Sequence, residues 1–336
     1  MIWKVGMIGA GYISHMHLQA WNKQPKAALV ALCDLDRTKL EEKANRYGLA
    51  EHQLYTDADR MLAEADIDIV DITTPPETHL ELVRKAAAAG KHILCQKPFA
   101  PDLAQADEMV AIAKEAGVRL MVTENWRWLP PIQRVKQILE SGTLGQIYFA
   151  KYASSSYYTP IMTPDRPLSQ PYFRDMPRLL MYEMGTHWFD VWRFLFGEPE
   201  RIYAEIRRVS PYVVGDDVGT VLIGHHRFHG LMEMSWASRR GKSSLKQELF
   251  YIETDRNSLL VMGDGTAKLL DESGETVLNG PQRGDYNDTF VRLQQHFLNG
   301  LETGADFQTS AEDNLNTLKL VFAAYESAMR RVVIRV

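Results

Sequence analysis

The sequence predicts an α/β fold: a doubly wound parallel sheet over residues 1–124, then an α+β part with a large open, mainly antiparallel sheet over 125–336. Three observations predict it. Short apolar runs alternate with helical patterns as far as residue 124, as a sheet covered on both faces requires. Beyond that point the strand pattern switches to apolar/polar alternation broken by tight turns. A glycine-rich turn stands between the first strand and the first helix.

In order, the strand candidates of the first part are 3–8, 29–33, 67–72, 91–95 and 118–123. Helical patterns fall at 12–22, 37–47, 57–63, 77–89 and 103–116, and Gly48, Gly90 and Gly117 mark helix stops. An Asn125-Trp126-Arg127-Trp128 turn then leads through Pro130-Pro131 into a helix to about Glu140, a long strand at 146–157 and a Pro/Tyr/Arg-rich loop at 158–178. A helix over 184–196 stops before Gly197. From 201 to 271 the pattern is antiparallel, with turns at His229-Gly230, Arg256-Asn257 and Gly263-Asp264-Gly265. Two amphipathic helices close the chain, the second starting at Ser310 with Asp313 three residues on.

Bulk properties exclude several classes. The net charge is −5, and Lys+Arg against Asp+Glu is 14 to 18 over 1–124 and 24 to 25 over the rest, so no nucleic-acid footprint appears. No apolar run approaches the ~18 residues of a membrane span, and the chain enters a strand at once, without a leader, so a cytoplasmic protein is expected. Cys33 and Cys95 fall in apolar strands and read as reduced packing thiols. His225 and His226 point to opposite faces of a strand, which argues against a shared metal, and none is expected.

Gly9-Ala10-Gly11 follows the first strand. Gly9 permits the tight turn, and Gly11 lets the backbone approach a pyrophosphate that the helix N-terminus near Tyr12 and Ile13 stabilises. Ser14 replaces the usual third glycine and is small enough for close packing. Asp34 ends the second strand, about 20 residues beyond the turn, where a carboxylate accepts from ribose hydroxyls. NAD is therefore the expected cofactor, and Arg37 close by keeps NADP open. Thr74 and Pro75 follow the next strand as cofactor wall, and His79 reads as a cofactor or interdomain contact.

Lys97 follows strand 91–95 at the carboxyl edge of the same sheet, between Gln96 and Pro98. An ammonium there can hydrogen-bond a substrate oxygen and stabilise a forming alkoxide. Glu183, His187 and Asp190 stand at i, i+4 and i+7 of a strongly apolar helix. Buried ionisable groups there must pair or face a cavity, so His187 is the candidate general acid or base, with Glu183 orienting it and Asp190 structural. Trp126 and Arg127, at the expected cleft, suit the C–H faces and hydroxyls of a sugar ring. Tyr158 and Arg174, with Tyr157, Tyr172 and Arg178, lie on a loop placed to act as a lid.

The glycine turn, Asp34, Thr74-Pro75-Pro76, Gln96-Lys97-Pro98, Asn125-Trp126-Arg127 and Gly185-Thr186-His187, in this order, resemble the glucose–fructose oxidoreductase / inositol dehydrogenase / rhizopine-catabolism (Gfo/Idh/MocA) family. The resemblance implies a Rossmann domain followed by an open-sheet domain, through which such proteins form dimers or tetramers. It implies oxidation or reduction of a hydroxyl or keto group on a sugar, inositol or related polyol with NAD or NADP, Lys97 being the catalytic lysine and His187 its acid/base partner. Gln96, Lys97 and Asn125 would flank the cofactor. Lys97, Trp126, Arg127, Tyr158, Arg174, Glu183 and His187 would meet the substrate. Two positions depart from the pattern: the family usually reads Glu-Lys-Pro where Gln96 stands here, and often carries Asp where Glu183 stands. The alternatives are an NAD-dependent glycosidase acting by transient oxidation and a non-catalytic NAD(P)-binding regulator. Retention of both Lys97 and His187 argues against the regulator.

Overall fold

Six short apolar segments pair in parallel in the computed structural model, which describes residues 2–282 and 284–336. They are β1 (Trp3–Ile8), β2 (Ala27–Cys33), β3 (Leu54–Tyr55), β4 (Ile69–Ile72), β5 (His92–Gln96) and β6 (Leu120–Thr123), in the order β3-β2-β1-β4-β5-β6. The order reverses direction between β1 and β4, which makes that gap the place where a ligand binds in such sheets. The helices between them are α1 (Ser14–Trp21), α2 (Arg37–Tyr47), α3 (Ala58–Glu64), α4 (His79–Ala88) and α5 (Leu103–Glu115). Asp36, Asp57 and Asp102 cap α2, α3 and α5 by accepting from their first-turn N–H groups. Gly48 ends α2 in the left-handed region at φ 74°. α1 is shorter than the 12–22 pattern, because residues 12–13 belong to the turn that precedes it. β3 has two residues and carries no readable period.

A second sheet of nine strands forms from β7 (Ile147–Ser155), β8 (Arg201–Arg207), β9 (Val218–Gly224), β10 (His229–Ser235), β11 (Glu248–Thr254), β12 (Ser258–Met262), β13 (Ala267–Asp271), β14 (Gly274–Asn279) and β15 (Ile334–Arg335). Their order is β14-β13-β12-β11-β7-β10-β9-β8-β15. Pairing is antiparallel except between β7 and β10, because the chain after β7 crosses to β8 and returns through two antiparallel pairings, β8 with β9 and β9 with β10, which lays β10 beside β7 in the same direction. α6 (Pro130–Glu140), α7 (Leu180–Glu183) and α8 (Gly185–Phe196) belong to the same region. Strand partners Ile202, Ile223, Gly230, Ala150, Ile252 and Leu259 form one buried row across the sheet. The expected turn at His229-Gly230 is instead the start of β10. Gly230 is needed there because a Cβ would lie 2.1 Å from the Trp192 indole of α8.

The chain separates into compact units of 1–125 with 285–318 and 126–284 with 319–336. This departs from the single cut at 124/125, since α9 (Tyr286–Thr303) returns to the first unit. There Gln24 donates to the Val291 carbonyl, and Gln294 to the His17 carbonyl. The last long helix, α10 (Ala311–Arg330), starts under a Ser310 cap that accepts from the Asp313 N–H at 3.2 Å. Cys33 and Cys95 are buried free thiols. Among the described residues no helix is long and apolar enough to cross a membrane.

Candidate active site

In the first unit the carboxyl edge of the parallel sheet gathers three loops. The first is the Gly9–Gly11 turn. Gly9 has φ 108°, and a Cβ on it would come within 2.8 Å of Thr73 Oγ1, while Gly11 has open space around it. Thr73 donates to the Gly9 carbonyl at 2.9 Å and so fixes the turn against the loop after β4, a role sequence reading gave to no residue. No side chain caps α1, and the Ser14 hydroxyl turns back to the Gly11 carbonyl. That leaves first-turn N–H groups and the helix dipole facing outward past Gly11, a cradle that fits a pyrophosphate. Tyr12 is exposed and Ile13 holds the cap position.

Asp34 accepts from the Ala10 N–H at 2.6 Å and the Asp36 N–H at 2.8 Å. Each carboxylate oxygen keeps a second lone-pair site, so the group can both order the turn and accept from ribose hydroxyls. Arg37 is drawn away from that position by ion pairs with Glu41 and Glu51, which leaves a 2′-phosphate without its expected cation. These residues fit NAD.

The second loop, Thr74-Pro75, is tied to the third by His79. Its Nδ1 lies 3.0 Å from the Phe99 carbonyl and its Nε2 2.9 Å from the Thr74 carbonyl. His79 is fully buried, and burial lowers its pKa. It is a strut between loops and has no surface to offer a cofactor, which corrects the contact role expected of it. Asn125 likewise spends its amide on Thr289 Oγ1 of α9, at 2.6 Å.

Lys97, half-buried, directly follows β5, and its bond to Pro98 is cis. Its backbone N–H donates to Gln96 Oε1 at 2.7 Å. Behind it, Gln96 Nε2 lies 3.0 Å from His17 Nε2, and His17 Nδ1 lies 2.8 Å from Asp71 Oδ2. The Trp21 indole donates to the same oxygen at 2.7 Å. Asp71 and His17 are fully buried, and sequence reading passed over both. The signal was there: one aspartate in the apolar run Ile69-Val70-Asp71-Ile72 must find a partner when buried.

In the second unit the helix expected to carry Glu183, His187 and Asp190 together is interrupted. Glu183 ends α7, Met184 lies between the two helices, and His187 and Asp190 lie on α8. His187 is buried and stacks on Trp126, with ring centroids 4.6 Å apart and planes within 5°. Arg127 is also buried. Its Nε and Nη2 donate to the two oxygens of Asp190 at 2.7 and 2.8 Å. This bidentate pair gives Arg127 a structural part in place of the expected contact with substrate hydroxyls. Asp190 is the structural residue expected, with Arg127 as its partner. Tyr158 sits edge-on to Trp236 at 5.2 Å. Arg174 donates to the carbonyls of Met162, Thr163 and Arg166, stapling its own loop together.

Comparison with known proteins agrees with this description. Residues 3–124 match the model of the "Oxidoreductase family, NAD-binding Rossmann fold", and residues 132–265 match the "GFO/IDH/MocA C-terminal domain". The chain is 36% identical over 335 residues to a D-apiose dehydrogenase of Paraburkholderia graminis, covering 97% of this chain and 87% of that one. It is 26% identical to an inositol 2-dehydrogenase of Rhizobium meliloti, covering 98% and 97%. A crystal structure of an oxidoreductase from Agrobacterium radiobacter in complex with NAD+, L-tartaric acid and magnesium superposes with a TM-score of 0.92 at 31% identity, covering 100% and 98%. The chain belongs to the Gfo/Idh/MocA family of NAD-binding oxidoreductases.

Proposed function

We propose that this protein is an NAD-dependent dehydrogenase of a sugar or polyol in which Lys97 and His187 act on one CH–OH group. The observation that carries the reading is the setting of Lys97: half-buried, at the carboxyl edge of the sheet that bears the Gly9–Gly11 turn, with its backbone held from behind by Gln96. The apiose and inositol dehydrogenases among its relatives support a polyhydroxylated substrate. Nicotinamide, when bound, supplies the hydride acceptor. The ammonium of Lys97 hydrogen-bonds the substrate oxygen and stabilises the negative charge that builds on it. His187 exchanges the hydroxyl proton, with its ring plane set by Trp126 and with Glu183 one turn back as its proton partner. Trp126 and Tyr158 offer apolar faces to the sugar ring.

The cofactor preference rests on Asp34 and on the engagement of Arg37 by Glu41 and Glu51. The test is Lys97→Ala assayed against apiose, inositols and related polyols by NADH absorbance. Turnover should fall by at least about 10²-fold with NADH affinity unchanged, and unchanged turnover removes the mechanism. Asp34→Ala should weaken NAD more than NADP, and the reverse order would overturn the cofactor assignment.

A homodimer or homotetramer built through the nine-stranded sheet is part of the same proposal. Tyr203, Leu222, Leu231, Lys151, Tyr251 and Leu260 are successive strand partners on the face opposite the buried row, and none of them is buried. A mostly apolar, solvent-accessible row across six strands is the kind of surface that a second copy covers. A monomer mass by light scattering at micromolar concentration would count against it.

A further inference from the structure

We propose that Asp71 and His17 are positioning residues for Lys97, acting through Gln96 as a one-way hydrogen-bond relay whose order is fixed by the backbone of Lys97 itself, a proposal that rests on the catalytic role given to Lys97 above. One donor in the line cannot reverse. The Lys97 N–H donates to Gln96 Oε1, so the Gln96 amide must present its NH2 to His17 Nε2, 3.0 Å away. His17 Nε2 is therefore the acceptor, and its proton sits on Nδ1, 2.8 Å from the Asp71 carboxylate. Asp71 takes a second N–H from Trp21 at 2.7 Å. Every group in the line, from Trp21 and Asp71 through His17 to Gln96 and Lys97 N, is satisfied by a single set of proton positions. His17 is 1% exposed, Asp71 0% and Gln96 5%, so water cannot substitute for a missing partner.

The helix that carries His17 is itself anchored. Gln294 donates to the His17 carbonyl at 3.2 Å, and Phe290 lies against the imidazole with ring centroids 5.1 Å apart. The relay thus transmits the position of β4 and α1 to the residue that leaves β5. It also gives a physical account of glutamine at 96. A carboxylate there has no N–H for His17 Nε2, and with Asp71 already charged it would require an imidazolium between two buried anions.

A charge swap tests the relay. Asp71→Asn removes the carboxylate that selects the Nδ1–H tautomer. His17 is then free to carry its proton on Nε2, which opposes the Gln96 NH2 and drives that amide to flip away from Lys97 N. The expected result is a drop of kcat between about tenfold and 100-fold, the range for a misplaced reacting group, with the NADH dissociation constant within about threefold of wild type.

Adding Gln96→Glu to Asp71→Asn rebuilds the line in reverse. The asparagine amide introduced at position 71 donates to Nδ1, Nε2–H donates to the new carboxylate at position 96, and that carboxylate still accepts from Lys97 N. The net charge of the network is unchanged, and kcat should return to within about threefold of wild type. Recovery in the double variant is a readout that a merely structural role for Asp71 would not produce. Gln96→Met, which keeps the volume and introduces no charge, should lose kcat like Asp71→Asn and serves if that single variant does not fold.

A fully active Asp71→Asn or Gln96→Met variant overturns the relay, as does a folded double variant that stays impaired. Lys97→Ala is run alongside. If it retains turnover, the reading of Lys97 fails and takes the relay with it. If it is inactive while Asp71→Asn is not, only the relay fails.

Discussion

Removing the carboxylate of Asp190 should be among the most damaging single changes to the second unit. Asp190 is 0% and Arg127 5% exposed, and the two bonds between them are 2.7 and 2.8 Å long. At that depth neither group recovers hydration when the other is lost, so Asp190→Ala leaves a buried guanidinium without this counter-ion and costs about 3–5 kcal/mol. For a cooperative unit of this size, each kcal/mol lowers the melting temperature by about 2–4 °C, which gives a fall of roughly 6–20 °C. The measurement is urea unfolding followed by tryptophan fluorescence, with calorimetry for Tm. A double variant separates the pair's net worth from the penalty of breaking it. Arg127→Met with Asp190→Leu replaces both charges by apolar side chains and should lie within about 2 kcal/mol of wild type, because desolvating two ions offsets most of their attraction. A loss below about 1 kcal/mol for Asp190→Ala would place the pair among surface-like ion pairs and refute the reasoning.

Gly9→Ala puts a side chain on a backbone with φ 108°, its Cβ 2.8 Å from Thr73 Oγ1. Strain of about 1–3 kcal/mol should be relieved by moving the turn, weakening NADH by about tenfold or more in a fluorescence titration; affinity within twofold of wild type would contradict the role given to this turn. Stability should also fall on mild acidification. Burial lowers the folded-state pKa of His15, His79, His92 and His225, so the native state favours their neutral forms. The unfolded chain binds protons first: the contribution is fully present above the unfolded pKa of about 6.5 and is lost as pH falls through it toward the folded values. Calorimetry between pH 7 and 5 should show Tm decreasing, less steeply in His79→Gln; a constant or rising Tm would refute it.

The first sheet was legible because burial on both faces leaves continuous apolar runs, and its helices because aspartates and glycines punctuate them. α2 lies where its spacing put it, at Arg37–Tyr47, under an Asp36 cap and above Gly48. What stayed hidden depended on distance along the chain. His17 meets Asp71 across 54 residues and Gln96 across 79, and no local period encodes such a meeting. The amphipathic face of α9 announced that it would be buried, but not that its partner would be α1. Arg127 was misjudged for a related reason. An arginine beside tryptophans looks the same in sequence whether it faces a ligand or an aspartate 63 residues away. Gly230 read as a turn because glycine signals backbone freedom and close approach with the same letter, and here the indole of Trp192 required the latter.

Asp71 and Asp190 solve one problem in two ways. An amine or imidazole that handles protons needs a fixed position, yet any charged group placed behind it to hold it would also change its proton affinity. In the second unit the charge is cancelled on site. Arg127 neutralises Asp190, and the Trp126 ring at the head of the same turn stacks on His187. In the first unit Asp71 is held by His17 and by the Trp21 indole N–H. Its charge is kept two residues back from Lys97, and the link that touches the Lys97 backbone is an uncharged amide. A carboxylate at 96 would sit directly against Lys97; glutamine passes on the orientation of the line while leaving the anion at its far end. On that argument, the departure of Gln96 from the family pattern and the burial of Asp71 are two parts of a single arrangement.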